Sequence, residues 1–185
     1  MKKKKSDRLS VYKGIAICNS DGKDITKLSH IVSSEFLNKL GFFNAPASTK
    51  FHGNYEGGLF DHSIAVMEIL VDMTNKLGLK WQRPESPYIV GLFHDLCKCD
   101  NYEYDIETNK YIYNKDQLLP GHGDKSILIL QDHIRLTEEE ILCIRYHMGA
   151  YESDKLDYFD RAIKKYPNVL YTHTADMIAS KIVGI

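Results

Sequence analysis

With 185 residues, 43% hydrophobic and 26% charged, the chain is sized for one domain with a sizeable core and has the make-up of a soluble globular protein. Its 24 basic and 25 acidic residues leave a formal net charge of −1, which argues against a dedicated nucleic-acid binder with its usual basic excess. No apolar run approaches the roughly 18 residues that span a bilayer, the opening lysines lead into no apolar signal core, and four scattered cysteines make no disulfide framework, so a cytoplasmic setting is expected.

The basic start, MKKKK, reads as a solvated, disordered end, and residues 1–27 as a mixed segment with a turn at NSDGKD. In LSHIVSSEFLNKLGF, residues Leu28, Ile31, Val32, Phe36, Leu37 and Leu40 fall near helical spacing, with Gly41 suited to close the helix. Residues 49–58 read as a loop. From Asp61 onward, Ala65, Val66, Ile69, Leu70, Met73 and Leu77 make an amphipathic helix stopped by Gly78. Pro84 and Pro87 introduce YIVGLFHDLC, which is apolar nearly all round and therefore a buried helix. The period then changes over residues 101–117: Tyr102, Tyr104 and Ile106 alternate with polar residues, as do Tyr111 and Tyr113, around ETNK. This predicts a small β-hairpin inserted between helices. GHGDKSILILQDHI returns to helix, Thr137 and Glu140 form a capping box opening ILCIRYHMG, and helices follow at about 154–165 and 168–183. The fold is mostly α.

Six residues are candidate metal ligands. His62 shares a helix face with Ala65, Val66 and Ile69 and so points at the core. His94 and Asp95 end the buried helix, where an unpaired carboxylate would be costly. His122 sits between two glycines at a helix start, His147 lies near a helix end, and Asp176 stands in an otherwise apolar helix. The groups are 32, 28, 25 and 29 positions apart, about one helical hairpin per step, so successive elements of a bundle could each deliver a ligand to one centre. Imidazole with carboxylate suits iron, manganese, zinc or nickel better than calcium, and six such groups with a bridging aspartate could hold two ions about 3.5–4 Å apart. Against this, a lone histidine on an apolar face is more often a satisfied core residue, the reading from which His30, His52, His133 and His173 start. Spacing alone leaves the two readings level. Cys97-x-Cys99 lacks the two-residue spacing of a redox or zinc pair, and Cys97 reads as a small buried hydrophobe.

The order His62, His94-Asp95, Asp176 resembles the H…HD…D signature of the HD-domain metal-dependent phosphohydrolase superfamily. FHGNYEGGLFDHSIAV, LFHDLCK, LPGHGDKS, IRYHMGAYE and HTADMIASK resemble its motif segments in the family's order, from about Lys50 to Lys181. The likeness extends to HD hydrolases of Firmicutes and their phages. It implies an all-α helical bundle with the hairpin inserted at about 101–117, a single domain over 28–185 behind an N-terminal segment 1–27. By resemblance, His62, His94, Asp95 and Asp176 hold a first divalent ion, and Asp95 bridges to a second held by His122 and His147. Iron or manganese is expected ahead of magnesium, zinc, nickel or cobalt. Asp95 and Lys98 are the expected catalytic residues, Lys98 touching the scissile phosphate or orienting the attacking water; a solvent-exposed lysine at a helix end is the alternative. His52 and His173 are expected substrate contacts beside Lys98.

The activity so implied is hydrolysis of a phosphate ester, of a nucleotide or another small phosphorylated molecule, by metal-activated water. Neither a membrane nor nucleic acid is an expected partner. A di-iron oxygenase keeps the same ligands with different chemistry. Exoribonuclease-like RNA processing is disfavoured by the balanced charge, and a non-catalytic nucleotide-sensing domain by the competent residue type at all six positions. Substrate identity, native metal and oligomeric state stay open.

Overall fold

The computed structural model describes residues 4–19, 21–149 and 156–185. Helix α1 (Lys5–Gly14) leads into an antiparallel hairpin of β1 (Ala16–Cys18) and β2 (Asp24–Lys27). The hairpin turn is closed by the Asn19 side chain, which accepts from the backbone N–H groups of Asp21 and Lys23 at 3.0 and 2.9 Å. The helix expected from Leu28 divides into α2 (Leu28–Ile31) and α3 (Ser34–Leu40). Its divider is Ser33, whose hydroxyl accepts from the Phe36 N–H and starts a new helix. Gly41 ends α3 in the left-handed conformation, as expected.

Helix α4 (Gly58–Leu77) begins three residues before Asp61 and runs about 30 Å to Gly78. Helix α5 (Ser86–Phe93) is buried along its whole length, as its uniform apolarity requires. A turn at residues 94–97 carries the chain into the single helical turn α6 (Lys98–Asn101). The inserted hairpin follows, β3 (Tyr102–Asp105) with β4 (Lys110–Tyr113), pairing Tyr102 with Tyr113 and Tyr104 with Tyr111. Then come α7 (Gly123–Gln131), α8 (Glu138–Arg145), α9 (Leu156–Lys165) and α10 (Asn168–Met177). The last expected helix thus changes character at Met177, continuing to Val183 as a π-helical segment. The start of the helix expected at 154–165 lies outside the described residues. Among the described residues strands occur only in the two hairpins, and no helix is long and apolar enough to cross a membrane.

Helices α4 and α5 form the central pair, with α8 against α5 and with α10 across α4 and α8. Their close approach requires Gly91, because a Cβ there would lie 2.5 Å from the Met67 Cα. Tyr12, Phe42, Phe43, Phe60 and Phe93 form an aromatic cluster with ring centroids 5.4–6.4 Å apart, mostly edge-to-face. Truncating one of these phenylalanines to alanine costs about 3–5 kcal/mol. The capping box forms as expected: Thr137 Oγ1 accepts from the Glu140 N–H, and Glu140 Oε2 from the Thr137 N–H. Glu140, wholly buried, also receives Arg83 Nε and the Ser86 hydroxyl at 2.8 Å each, clamping the start of α8 to that of α5.

The segment before residue 28 is more ordered than its mixed sequence suggests. Tyr12 and Ile17 are fully buried, and the Tyr12 hydroxyl donates to the Val32 carbonyl at 2.5 Å. Arg8 pairs with Asp61 at 3.2 Å. Each short element buries at most two residues, too few for an apolar stripe to show in sequence. Of the basic start, residues 1–3 lie outside the described residues; Lys4 and Lys5 are exposed at the beginning of α1.

Candidate metal centre

Asp61 accepts from Arg8 and from the Tyr55 hydroxyl, fixing the first turn of α4. The next residue, His62, is thereby turned inward and is fully buried. Its Nδ1–H donates to a main-chain oxygen of Ile185 at 2.8 Å. His94 stands one residue past α5 and donates Nδ1–H to the Gly91 carbonyl at 2.9 Å. His147, in the turn after α8, donates Nδ1–H to the Ile144 carbonyl at 2.7 Å. With Nδ1 committed as donor in all three, each ring, when neutral, presents an Nε2 lone pair.

The three Nε2 atoms converge on two carboxylates. His62 Nε2 lies 3.1 Å from Asp176 Oδ1 and 3.6 Å from Asp95 Oδ2; His94 Nε2 lies 3.3 Å from Asp95 Oδ2, and His147 Nε2 lies 3.4 Å from Asp95 Oδ1. None of these close approaches has hydrogen-bond alignment. The three Nε2 atoms and Asp95 Oδ1 are all buried without a hydrogen-bond partner. Lone pairs facing carboxylate oxygens in a dry interior repel unless positive charge lies among them. This donor set therefore fits a cation, with each imidazole oriented by a main-chain oxygen behind it.

The electrostatics follow from the same contacts. Burial raises the Asp95 carboxyl, but the Lys98 ammonium and the imidazoles of His94 and His147 outweigh it and hold Asp95 well below the usual carboxylate range. Asp176 is likewise held low, burial being outweighed by His62, His94 and His147. Burial lowers His94 against the pull of Asp95, whereas in His147 the contact with Asp95 outweighs burial and raises it. Lys98 is buried, not the solvent-exposed alternative. Its Nζ sits 2.6 Å from Asp95 Oδ2, and that charge, outweighing burial, raises the ammonium.

Among the described residues, three groupings of donor atoms lie within 4.8 Å: His62 with His94 and Asp176, His94 with Asp95 and His147, and Asp95 with Cys97 and His122. His122 caps α7 and is brought in by Gly123, where a Cβ would lie 2.6 Å from the Arg145 carbonyl oxygen. An Asp124–Arg145 ion pair ties the same helix ends. His122 is thus placed with Cys97, not grouped with His147, the partner that the resemblance implies. The spacing of Cys97 to Cys99 is uninformative in the sequence; its closeness to His94-Asp95 is the available signal.

His52 lies beside the cluster, its ring 4.9 Å from that of His62 and its Nε2 buried without a partner. Burial, then the neighbouring His62 and Lys98, push it down to about 4. His173 donates Nδ1–H to the His147 carbonyl at 2.7 Å and packs on Phe159, supporting the His147 turn from behind. His133 and His30 are exposed and remote from the cluster's described contacts. A cavity of about 750 Å³ opens between residues 41–56 and the inserted hairpin, lined by Tyr55, Tyr102, Tyr104 and Tyr111 with Asn44 and Glu56. Cys99, next in sequence to Lys98, is also among its lining residues. Lys125, buried on α7, donates to Asn101 Oδ1 at 2.8 Å and anchors the hairpin that forms one wall.

The HD domain family model matches residues 59–179. The dihydroneopterin 2′,3′-cyclic phosphate phosphodiesterase of Methanocaldococcus jannaschii is 41% identical over 64 residues, which cover 31% of this chain and 24% of that protein. The chain thus spans about a quarter of the length of the curated relative it matches. No solved structure gives a significant match.

Proposed function

The chain belongs to the HD-domain family, and from that premise we propose that it is a phosphohydrolase dependent on two divalent metal ions. Its substrate is a phosphate ester of a small molecule bearing an aromatic heterocycle, such as a nucleotide. The observation that carries this reading is the buried meeting of three unpartnered imidazole Nε2 atoms with Asp95 and Asp176. His62, His94, Asp95 and Asp176 would hold the first ion; Asp95, His122 and His147 are the family-like set for the second. When bound, such ions neutralise phosphate oxygens and lower the pKa of water towards neutrality.

The chain's own groups do the rest. Asp95 is held in its ionised form by its contacts with Lys98 and two imidazoles, so it serves as an acceptor. Lys98 keeps a positive charge beside Asp95, where the phosphate oxygens of an ester held at the metal centre would need one. His52, neutral at pH 7, offers a ring nitrogen to a substrate oxygen without adding charge. The tyrosine-lined cavity is sized for the organic body of the substrate, and Tyr104, half exposed, offers a stacking surface. The similarity to a dihydroneopterin 2′,3′-cyclic phosphate phosphodiesterase supports a small heterocyclic phosphate. A net charge of −1 supports a small substrate over a nucleic acid.

The test is metal analysis of the purified chain beside a hydrolysis screen over nucleoside monophosphates, cyclic phosphates and pterin phosphates, with Asp95→Asn in parallel. Two metals per chain and turnover of at least one such ester are expected, with both lost in the variant. Equal turnover by Asp95→Asn refutes the proposal.

A further inference from the structure

The geometry points to Cys97 as a sulfur ligand of the second ion, completing a site with Asp95 and His122 that selects a thiophilic divalent metal. This deepens the metal-dependent reading above and rests on it. Cys97 Sγ lies 3.6 Å from His122 Nδ1. On one tetrahedral ion, a sulfur at about 2.3 Å and a nitrogen at about 2.0–2.1 Å stand roughly 3.5 Å apart, so the observed separation matches two donors of a shared ion. The third donor, Asp95, is 2% exposed, has Oδ1 without a hydrogen-bond partner, and falls within the same 4.8 Å grouping.

The placement of Cys97 is built into the fold. Its backbone N–H donates to the Ser126 hydroxyl at 3.0 Å, pinning the turn after Asp95 to α7, the helix that His122 caps. The thiol is fully buried, so it faces the carboxylate and the imidazole with no competing water. On coordination the thiol proton passes to solvent and a metal–sulfur bond replaces the S–H bond. A thiolate favours zinc, ferrous iron or cobalt, whereas magnesium prefers oxygen donors and gains little from it. The sulfur donor therefore narrows the metal choice that histidine and aspartate alone leave broad.

The test titrates metal-stripped, reduced full-length chain with Co²⁺. A near-ultraviolet thiolate-to-cobalt charge-transfer band is expected to grow with one of two bound equivalents. In Cys97→Ser, checked for folding by circular dichroism, the band should vanish and that equivalent should bind at least about 10–100-fold more weakly, the loss seen on removing even an outer partner of a ligand. Two equivalents bound by wild type without the band would overturn the inference and leave Cys97 as a hydrogen-bond acceptor for His122. A band that persists in Cys97→Ser would overturn it too, by assigning the sulfur elsewhere. If the variant fails to fold, X-ray absorption of the wild-type zinc form decides: one sulfur scatterer at about 2.3 Å supports the assignment, none overturns it. A chain that takes up no metal overturns both this inference and the reading on which it rests.

Discussion

Removing the charge of Asp95 should destabilise the protein even before any metal is added. The carboxylate is 2% exposed and lies 2.6 Å from the ammonium of Lys98, whose side chain is 10% exposed. At an effective dielectric near 20, two unit charges at that separation attract by about 6 kcal/mol, a gain largely offset by taking both out of water. Asp95→Asn removes the attraction and leaves Lys98 desolvated, a loss of about 3–5 kcal/mol. For a chain of this length that lowers Tm by roughly 6–20 °C. Lys98→Met strands the carboxylate, which keeps its neighbouring imidazoles, so its loss falls at the lower end, about 3 kcal/mol. The double variant buries no unpaired charge and should lose at least about 2 kcal/mol less than the two singles together. Urea unfolding of chelator-treated protein, followed by circular dichroism, measures all three. Two single losses that add to the double would show that Asp95 and Lys98 are uncoupled, and an Asp95→Asn more stable than wild type would show that repulsion among the carboxylates governs the metal-free cluster; either result would refute the reasoning.

Gly91→Ala should lower stability by about 1–3 kcal/mol, because its new Cβ would meet the Met67 Cα at 2.5 Å. Gly14→Ala, with nothing within 4 Å, should leave stability unchanged or raise it slightly; thermal unfolding of the pair separates crowding from a general effect of adding a methyl group. Tyr104→Ala should raise KM for a nucleotide ester by about tenfold, the lower range for a lost stacking surface, without changing hydrolysis of an ester that lacks a ring. Steady-state kinetics on the two substrates checks this, and equal losses on both would remove the cavity from substrate binding.

The sequence makes the bundle legible wherever one physical rule dominates. The hairpin at Tyr102–Tyr113, the capping box of Thr137 with Glu140 and the uniformly buried α5 each follow from a local pattern, and each is present. Tyr12 and Ile17 were not legible as core, because each enters it from a short element with little apolar periodicity. The expected continuous helix from Leu28 fails at Ser33, where a side-chain oxygen outcompetes the backbone. At the site, His62, His94, Asp95, His147 and Asp176 come together as their spacing and resemblance suggest. The proximity of Cys97 to His122 depends on α7 docking against the turn after α5, a tertiary event that leaves no periodic trace.

The charge cluster at Glu140 works as the zero mark of a ruler. It fastens the start of α8 to the start of α5, while the rings of His94 and His147, 4.9 Å apart, mark the far ends, so the two helices run parallel from a shared origin. His94 stands eight residues beyond Ser86 and His147 seven beyond Glu140, rises of about 12 and 10.5 Å. Both imidazoles therefore emerge at nearly the same height. Sliding either helix by one residue would shift its ligand by about 1.5 Å and turn it by about 100°. The precision of the metal centre is thus calibrated roughly 10 Å away, by a glutamate that touches none of its ligands.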